Sequence, residues 1–349
     1  MFSAYTTLFR TPGAMKFSVF ALIGRMPISM DSLALIFIVV AVSDSYALAG
    51  ALSAVASIVI SIATPFWSRV ADRIGQRKML LRVVPLKIIG LSLFIALVMN
   101  EAPIWSWFVS IIVAELASIN TGGLVRRRWL HVLSPDKSST KEDEADRHVV
   151  NTAYSYEALM DEIVFIVGPI TATAFATSIA PAAGLIAGMI LMSIGLPLFA
   201  MQRATEPPPS PVRVKDPHPP VIGLPIVQAI ALATTFTGGF FGAIAITVVG
   251  FAQSQGREPY SGLLLGLWAS GSAVMAIING LIKWKTSYVG RFLIFLTALT
   301  ALSIPFIFVD SIFWLAVALF FNGIAIAPLI VNAYGVVQEV VPSEQITES

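Results

Sequence analysis

Ten long apolar stretches run along this 349-residue chain, and they constrain its fold more than any motif does. They fall at about residues 16–42, 46–67, 80–99, 103–125, 150–178, 182–201, 222–250, 260–282, 291–309 and 312–335. A helix needs roughly 20 apolar residues to cross the hydrocarbon core of a bilayer. Strands of a membrane barrel would alternate apolar and polar residues over about ten positions. These stretches do not alternate, so the sequence predicts an all-α polytopic membrane protein with ten spans. The charge supply agrees: 12% of residues are charged against 56% hydrophobic, and mean hydropathy is +0.83. A soluble domain carries about twice that charged fraction to cover its water-facing surface. The first run, from Phe17, is too long for a signal-peptide core and is followed at once by another, so it reads as a retained span. The first and fifth runs exceed the minimum length and contain charges, as expected of spans that tilt or extend beyond the lipid.

The basic residues give an orientation. With the N-terminus placed in the cytoplasm, alternate loops collect all of the 22 lysines and arginines except Arg25, Lys87 and Arg257 on the cytoplasmic side. This is the positive-inside bias, and one missed or false span would scramble it. The predicted location is therefore the cytoplasmic (inner) membrane, multi-pass, with both termini cytoplasmic.

Two interruptions are longer than the rest. Arg126 to His148 mixes arginines with an acidic patch at Glu142, Asp143, Glu144 and Asp146. Arg203 to Pro220 contains Pro207, Pro208, Pro209, Pro211, Pro217, Pro219 and Pro220. So dense a proline run favours extended polyproline II and acts as a semi-stiff linker. The predicted organisation is a six-helix bundle over 1–202, a cytoplasmic linker over 203–221 and a four-helix bundle over 222–349. Val341-Pro342-Ser343-Glu344-Gln345 looks like the opening of a further helix, as in a twelve-span architecture that stops after ten.

The turn between spans two and three reads Ser68-Arg69-Val70-Ala71-Asp72-Arg73-Ile74-Gly75-Gln76-Arg77-Lys78. Gly75 permits a tight reversal, and Arg73 and Arg77 can form charge-assisted hydrogen bonds to carboxylates or lipid phosphates. The turn resembles the signature of the major facilitator superfamily, Gly-x-x-x-Asp-Arg-x-Gly-Arg-Arg. Asp72, Arg73, Gly75 and Arg77 match; Ser68 and Gln76 depart from it. The resemblance implies a secondary transporter that moves a small organic solute by alternating access, coupled to protons. It also implies that Asp72, Arg73, Gly75 and Arg77 form a cytoplasmic gate, with the aspartate engaging the start of an eleventh helix. Gly168-Pro169 in span five is similar to the centre of a motif of the exporting branches, which points toward efflux; a proline kink is the local alternative.

A charge inside the membrane costs at least about 2.5 kcal/mol and needs a partner, water or a function. Asp31 and Glu115 are the candidate proton-binding groups, Asp31 in span one and Glu115 near the middle of span four on one face with Ser118 and Gly122. Arg25 is their candidate countercharge or an anchor for an anionic substrate; a static Arg25–acid pair is the structural alternative. Glu157, Asp161 and Glu162 enter span five and are read as gate acids or a clamp, with Arg73, Arg77 or Arg126 as partners.

The second half has no acid in mid-span. Gln228, Thr235, Phe236, Asn322 and Asn332 are the candidate cavity residues, which would suit an amphipathic solute. The small residues Gly238/Gly242 and Gly262/Gly266/Ser270 are read as helix-packing surfaces.

Other classes find little support. There is no cysteine, His131, His148 and His218 fall in loops, and neither a phosphate loop nor a His-Glu-x-x-His site occurs, so no enzyme, metal site or cofactor is expected. The partners expected are the lipid bilayer, a small-molecule solute and protons, with no nucleic acid, for a monomer. A ten-helix carrier of another fold, or a receptor or fragment that does not transport, remains the alternative.

Overall fold

The computed structural model describes residues 6, 8–133, 143–209, 225–282 and 284–340, with backbone only at 143–148, 151, 280–281 and 337–340. Among the described residues there are helices and turns and no strand. The chain forms two compact units, Met1–Arg213 and Val214–Ser349.

The first unit starts with α1 (Ala14–Arg25) and α2 (Pro27–Ser43), which together make one span broken at Met26. Pro27 has no N–H and clashes with the turn before it, so it disrupts a continuous helix but suits the first position of a new one. α3 (Tyr46–Ile74) begins at Ser45, whose hydroxyl accepts from the Leu48 N–H at 3.2 Å. It ends at Gly75, with φ +92°, and α4 (Gln76–Met99) follows directly.

The fourth span departs from expectation. The run 103–125 is not one helix but α5 (Ile104–Glu115), a break, and α6 (Thr121–Leu133). The break is built from polar groups. Asn120 Oδ1 accepts the Gly123 N–H at 2.9 Å, starting α6, and the Trp67 indole donates to the freed Leu116 carbonyl at 2.7 Å. α7 (Asp143–Ser178) and α8 (Ala183–Ala200) complete the unit, followed by a 3₁₀ turn at Arg203–Thr205.

Close helix crossings hold this unit together. A Cβ on Gly195 would lie 2.3 Å from the Gly24 nitrogen, so α1 and α8 meet backbone to backbone. A Cβ on Gly168 would overlap the Ser29 hydroxyl, which donates to the Val164 carbonyl at 2.7 Å and ties α2 to α7. Gly168 is thus accounted for by packing. Trp129, Phe17 and Phe199 centre the main apolar core, with the Phe17 and Trp129 rings edge-on at 4.9 Å.

The second unit comprises α9 (Pro225–Ser254), α10 (Ser261–Leu281), α11 (Tyr288–Ser303) with a 3₁₀ extension to Phe308, α12 (Ile312–Gly323) and α13 (Ile326–Val340). The run 312–335, expected as one helix, is broken at Ile324–Ala325. Phe292, Phe295, Leu299, Leu329 and Val336 form its core.

Among the described residues, nine helical stretches are long and apolar enough to cross a membrane, and Ile104–Glu115 is a shorter apolar helix. The expected all-α fold is borne out, and among the described residues these nine stretches and one shorter helix are consistent with ten spans. The surface carries Ile58, Ile62, Ile89, Trp105, Ile190, Ile307 and Phe313 largely exposed. So much exposed apolar area fits lipid as the surrounding solvent.

His131, expected in a loop, lies on α6. Glu142, His218, Lys283, the linker from 210 to 221 and the helix-like opening Val341–Gln345 lie outside the described residues, as does the His148 side chain.

Candidate functional site

A cavity of about 320 Å³ opens in the first unit between α2, α3, α4, α5 and α8. Asp31, Lys87 and Glu115 line it, together with Ser32, Ser53, Ser57, Thr64, Ser118, Asn120 and Thr121. Apolar side chains supply the rest of the wall. Asp31 and Glu115 therefore share one space, although they stand on different helices 84 positions apart in sequence.

Lys87, inside span three, is the group that sequence reasoning left without a role. Its Nζ lies 2.5 Å from Glu115 Oε2 and 3.1 Å from the Ser118 hydroxyl, which itself donates to Glu115 Oε2 at 2.5 Å. Lys87 and Glu115 are both nearly inaccessible. The Glu115–Ser118 contact expected from helical spacing comes instead from the turn where α5 ends. Gly122 belongs to the next helix, so the predicted shared face does not extend that far. Asp31 is different: its Oδ1 is buried and accepts no hydrogen bond. A side chain at Gly188 would put its Cβ 3.0 Å from that oxygen.

Arg25 is not the countercharge of this cavity. It turns toward α7, with its guanidinium 2.6 Å from Glu157 Oε2 and 3.0 Å from Asp161 Oδ1. Glu157 Oε1 accepts from Ser18 at 2.9 Å and from the Trp129 indole at 2.8 Å, so its carboxylate has three donors from α1 and α6. Arg126 reaches Asp161 Oδ2 at 2.9 Å from the more exposed side. The acids of α7 thus form a clamp around Arg25, while Arg73 and Arg77, offered as their partners, lie elsewhere. Glu162 makes no ion pair among the described residues.

The turn around Gly75 is a second polar cluster. Asp72 pairs with Arg127 of α6, within the same unit. The Arg77 backbone N–H donates to Glu206 Oε1 at 2.8 Å, which brings the start of the proline segment onto the N-terminus of α4. Gln76, where the signature has arginine, donates to the Leu124 carbonyl at 3.0 Å and accepts from Arg128 at 2.8 Å. Arg128 is fully buried, lies 3.7 Å over the Phe199 ring and donates to the Phe199 carbonyl at 2.9 Å. Arg73 is exposed.

The residues proposed as cavity-lining in the second half do not converge. Gln228, Thr235 and Phe236 are exposed, and the Thr235 hydroxyl is turned back to the Ala231 carbonyl. Asn322 is fully buried and fully used: it accepts from the Trp268 indole at 2.9 Å and donates to Leu299 and Ser303. Asn332 is buried and donates to the Pro328 carbonyl, leaving Oδ1 without a partner. Gly238 and Gly242, expected at a packing surface, face open space.

Comparison with known proteins follows the same line. No match is found among curated protein sequences. The chain is similar in fold to a bacterial homologue of the iron transporter ferroportin in an inward-facing state (TM-score 0.63, 13% identity, 96% of this chain and 86% of that one). It is also similar to an auto-inhibited POT family peptide transporter (0.66, 11%, 95% and 83%) and to the POT family transporter PepTSo (0.62, 11%, 95% and 84%). The sequence profile of the Major Facilitator Superfamily matches residues 21–348, almost the whole of the bundle described above. The chain is a multi-pass membrane transporter that belongs to the Major Facilitator Superfamily.

Proposed function

We propose that this transporter moves a small organic solute by alternating access and couples that movement to protons at Asp31 and Glu115. In this reading the basic turns face the cytoplasm across the inner membrane, and the protein does no covalent chemistry. The observation that carries it is the Asp31 carboxylate. It lines a cavity of substrate size with one oxygen buried and unpartnered, beside the Lys87–Glu115 pair. Intramembrane acids are rare and costly, and one that lines a cavity without a partner is by default read as part of an ion or solute pathway. Structural pairing is already supplied elsewhere, by Arg25 with Glu157 and Asp161.

The test is proton movement in proteoliposomes loaded with a pH indicator and challenged with cationic, neutral and anionic aryl solutes. A transported solute should change internal pH, and Asp31→Asn and Glu115→Gln should each abolish that change while the protein remains inserted. The sign of the gradient that accelerates uptake gives the direction of transport. Unaltered proton movement in both variants would exclude the two carboxylates as coupling groups.

A further inference from the structure

We propose that the Asp31 cavity accepts a small organic monocation with N–H donors, an ammonium or amidinium on an apolar body. This deepens the transport reading above by naming the class of its cargo.

The argument is an account of unsatisfied groups and of charge. Two buried polar atoms on the cavity lack partners, Asp31 Oδ1 and the Ser53 hydroxyl. Buried polar groups are nearly always hydrogen-bonded, so these two atoms are open to bond with water or with a guest in the cavity. When ionised, Asp31 Oδ1 can only accept, and a guest that bonds to it must be a donor. The charged groups that face Asp31 are Lys87 from α4 and Glu115 from α5. Lys87 is committed to Glu115 and Ser118. From α3 come Ser53 and Ser57, and from α8 Gly188, Leu185 and Met192, none of them charged. On α7, Glu157 and Asp161 are taken by Arg25 and Arg126. With Asp31, Lys87 and Glu115 ionised, the cavity has one negative charge in excess and no free cation.

An anionic solute would therefore meet like charge and find no uncommitted donor cation, whereas an N–H cation balances the charge and fills the empty acceptor at once. A bare metal ion is a poorer fit, since no group of three or more His, Cys, Asp or Glu side chains converges among the described residues. Ile28, Leu35, Ile60, Leu91, Ile111 and Leu196 give the body of the solute an apolar wall. Glycine at 188 keeps the approach open, because any side chain there would press on Oδ1.

Isothermal titration of the detergent-purified full chain tests this with three probes: benzamidine, its isosteric anion benzoate, and benzyltrimethylammonium, a cation with no N–H. Benzamidine should bind, the donorless cation should bind about tenfold more weakly, and benzoate should not compete. Asp31→Asn should weaken benzamidine by about tenfold or more. Gly188→Ala keeps the carboxylate but crowds it and should also weaken binding, which preserves the test if Asp31→Asn fails to fold. Benzoate binding as tightly as benzamidine would overturn the proposal, as would benzamidine affinity that neither substitution changes. If an anionic or neutral solute drives Asp31-dependent proton movement in vesicles, the cation class falls and coupled transport stands. If benzamidine binds through Asp31 but no solute moves protons, the coupling reading falls and the binding class stands.

Discussion

Lys87 Nζ and Glu115 Oε2 meet at 2.5 Å where α4 and α5 touch: a Cβ on Gly90, one turn from Lys87, would lie 2.5 Å from the Cα of Ala114, next to Glu115. The absent side chain at Gly90 sets the distance between the charges. Breaking a buried pair by removing one partner leaves an uncompensated charge and costs about 3–5 kcal/mol, whereas replacing both with groups of similar volume can be neutral. Lys87→Met and Glu115→Gln should therefore each destabilise the chain strongly, and the double variant should recover much of the loss. Reversible unfolding in mixed detergent micelles measures this. A double variant as unstable as the sum of the singles would show that the charges do not depend on each other.

Glu157 and Asp161 make opposite predictions although both touch Arg25. Glu157 is fully buried with donors from Arg25, Ser18 and Trp129. Trp129→Phe keeps the ring against Phe17 but removes one donor, with an expected cost of about 1–3 kcal/mol. The Arg126–Asp161 pair is partly exposed, with side-chain exposures of 42% and 33%, so Arg126→Ala should cost less than about 1 kcal/mol. Equal losses in the two variants would contradict the assignment of Glu157 as the centre of the clamp.

The spans were legible because lipid imposes a length and a polarity on each helix, and the glycine turn at 75 because its neighbours carry a family signature. The breaks at 116–120 and 324–325 were hidden inside apolar runs, where hydropathy counts residues but not hydrogen bonds. Asn120-Thr121-Gly122-Gly123 was a usable signal for the first, since Asn is a strong helix cap. Asp31 and Glu115 were visible as intramembrane acids, yet which cation each one meets was not. Arg25 is near Asp31 in sequence but faces α7, and Lys87 looked like a stray basic residue within span three. Pairing across helices depends on rotation about each axis, which a single sequence leaves open. For the same reason Asn322 reads as a cavity donor in sequence and is a packing hub in the fold.

Around Gly75 the backbone should matter more for stability than the charges do. Its φ of +92° and ψ of 150° lie in a region that essentially only glycine occupies, and a Cβ would also press on Glu206 Oε1 at 3.1 Å. Gly75→Ala should cost about 1–3 kcal/mol. The neighbouring Asp72–Arg127 pair is partly exposed, and Asp72→Asn should cost less than about 1 kcal/mol. Should Asp72→Asn slow solute movement by far more than that difference allows, the aspartate acts in gating; restoration by Asp72→Arg with Arg127→Asp would assign the effect to this pair. Parallel unfolding and uptake measurements on the three variants separate the two roles.

In the second unit α10 and α12 meet without side chains between them. A Cβ on Gly271 would lie 2.1 Å from the Phe320 carbonyl oxygen, and one on Gly323 would lie 2.1 Å from that of Trp268. The contact is reciprocal, and the Trp268 indole bonded to Asn322 locks it from the side. A methyl at either position must push the helices apart, so Gly271→Ala and Gly323→Ala should each cost about 1–3 kcal/mol. The double variant should cost less than the sum, because the first substitution already opens the crossing. Gly238 and Gly242 meet nothing within 4 Å, so alanine there should be neutral or gain up to about 1 kcal/mol from helix propensity. The Trp268 indole bonds to Asn322 across this crossing, so in a variant that keeps Trp268 as its sole tryptophan the fluorescence reports on the crossing during unfolding. A loss at Gly238 as large as at Gly271 would mean that the helix pairing in this unit does not rest on the α10–α12 contact.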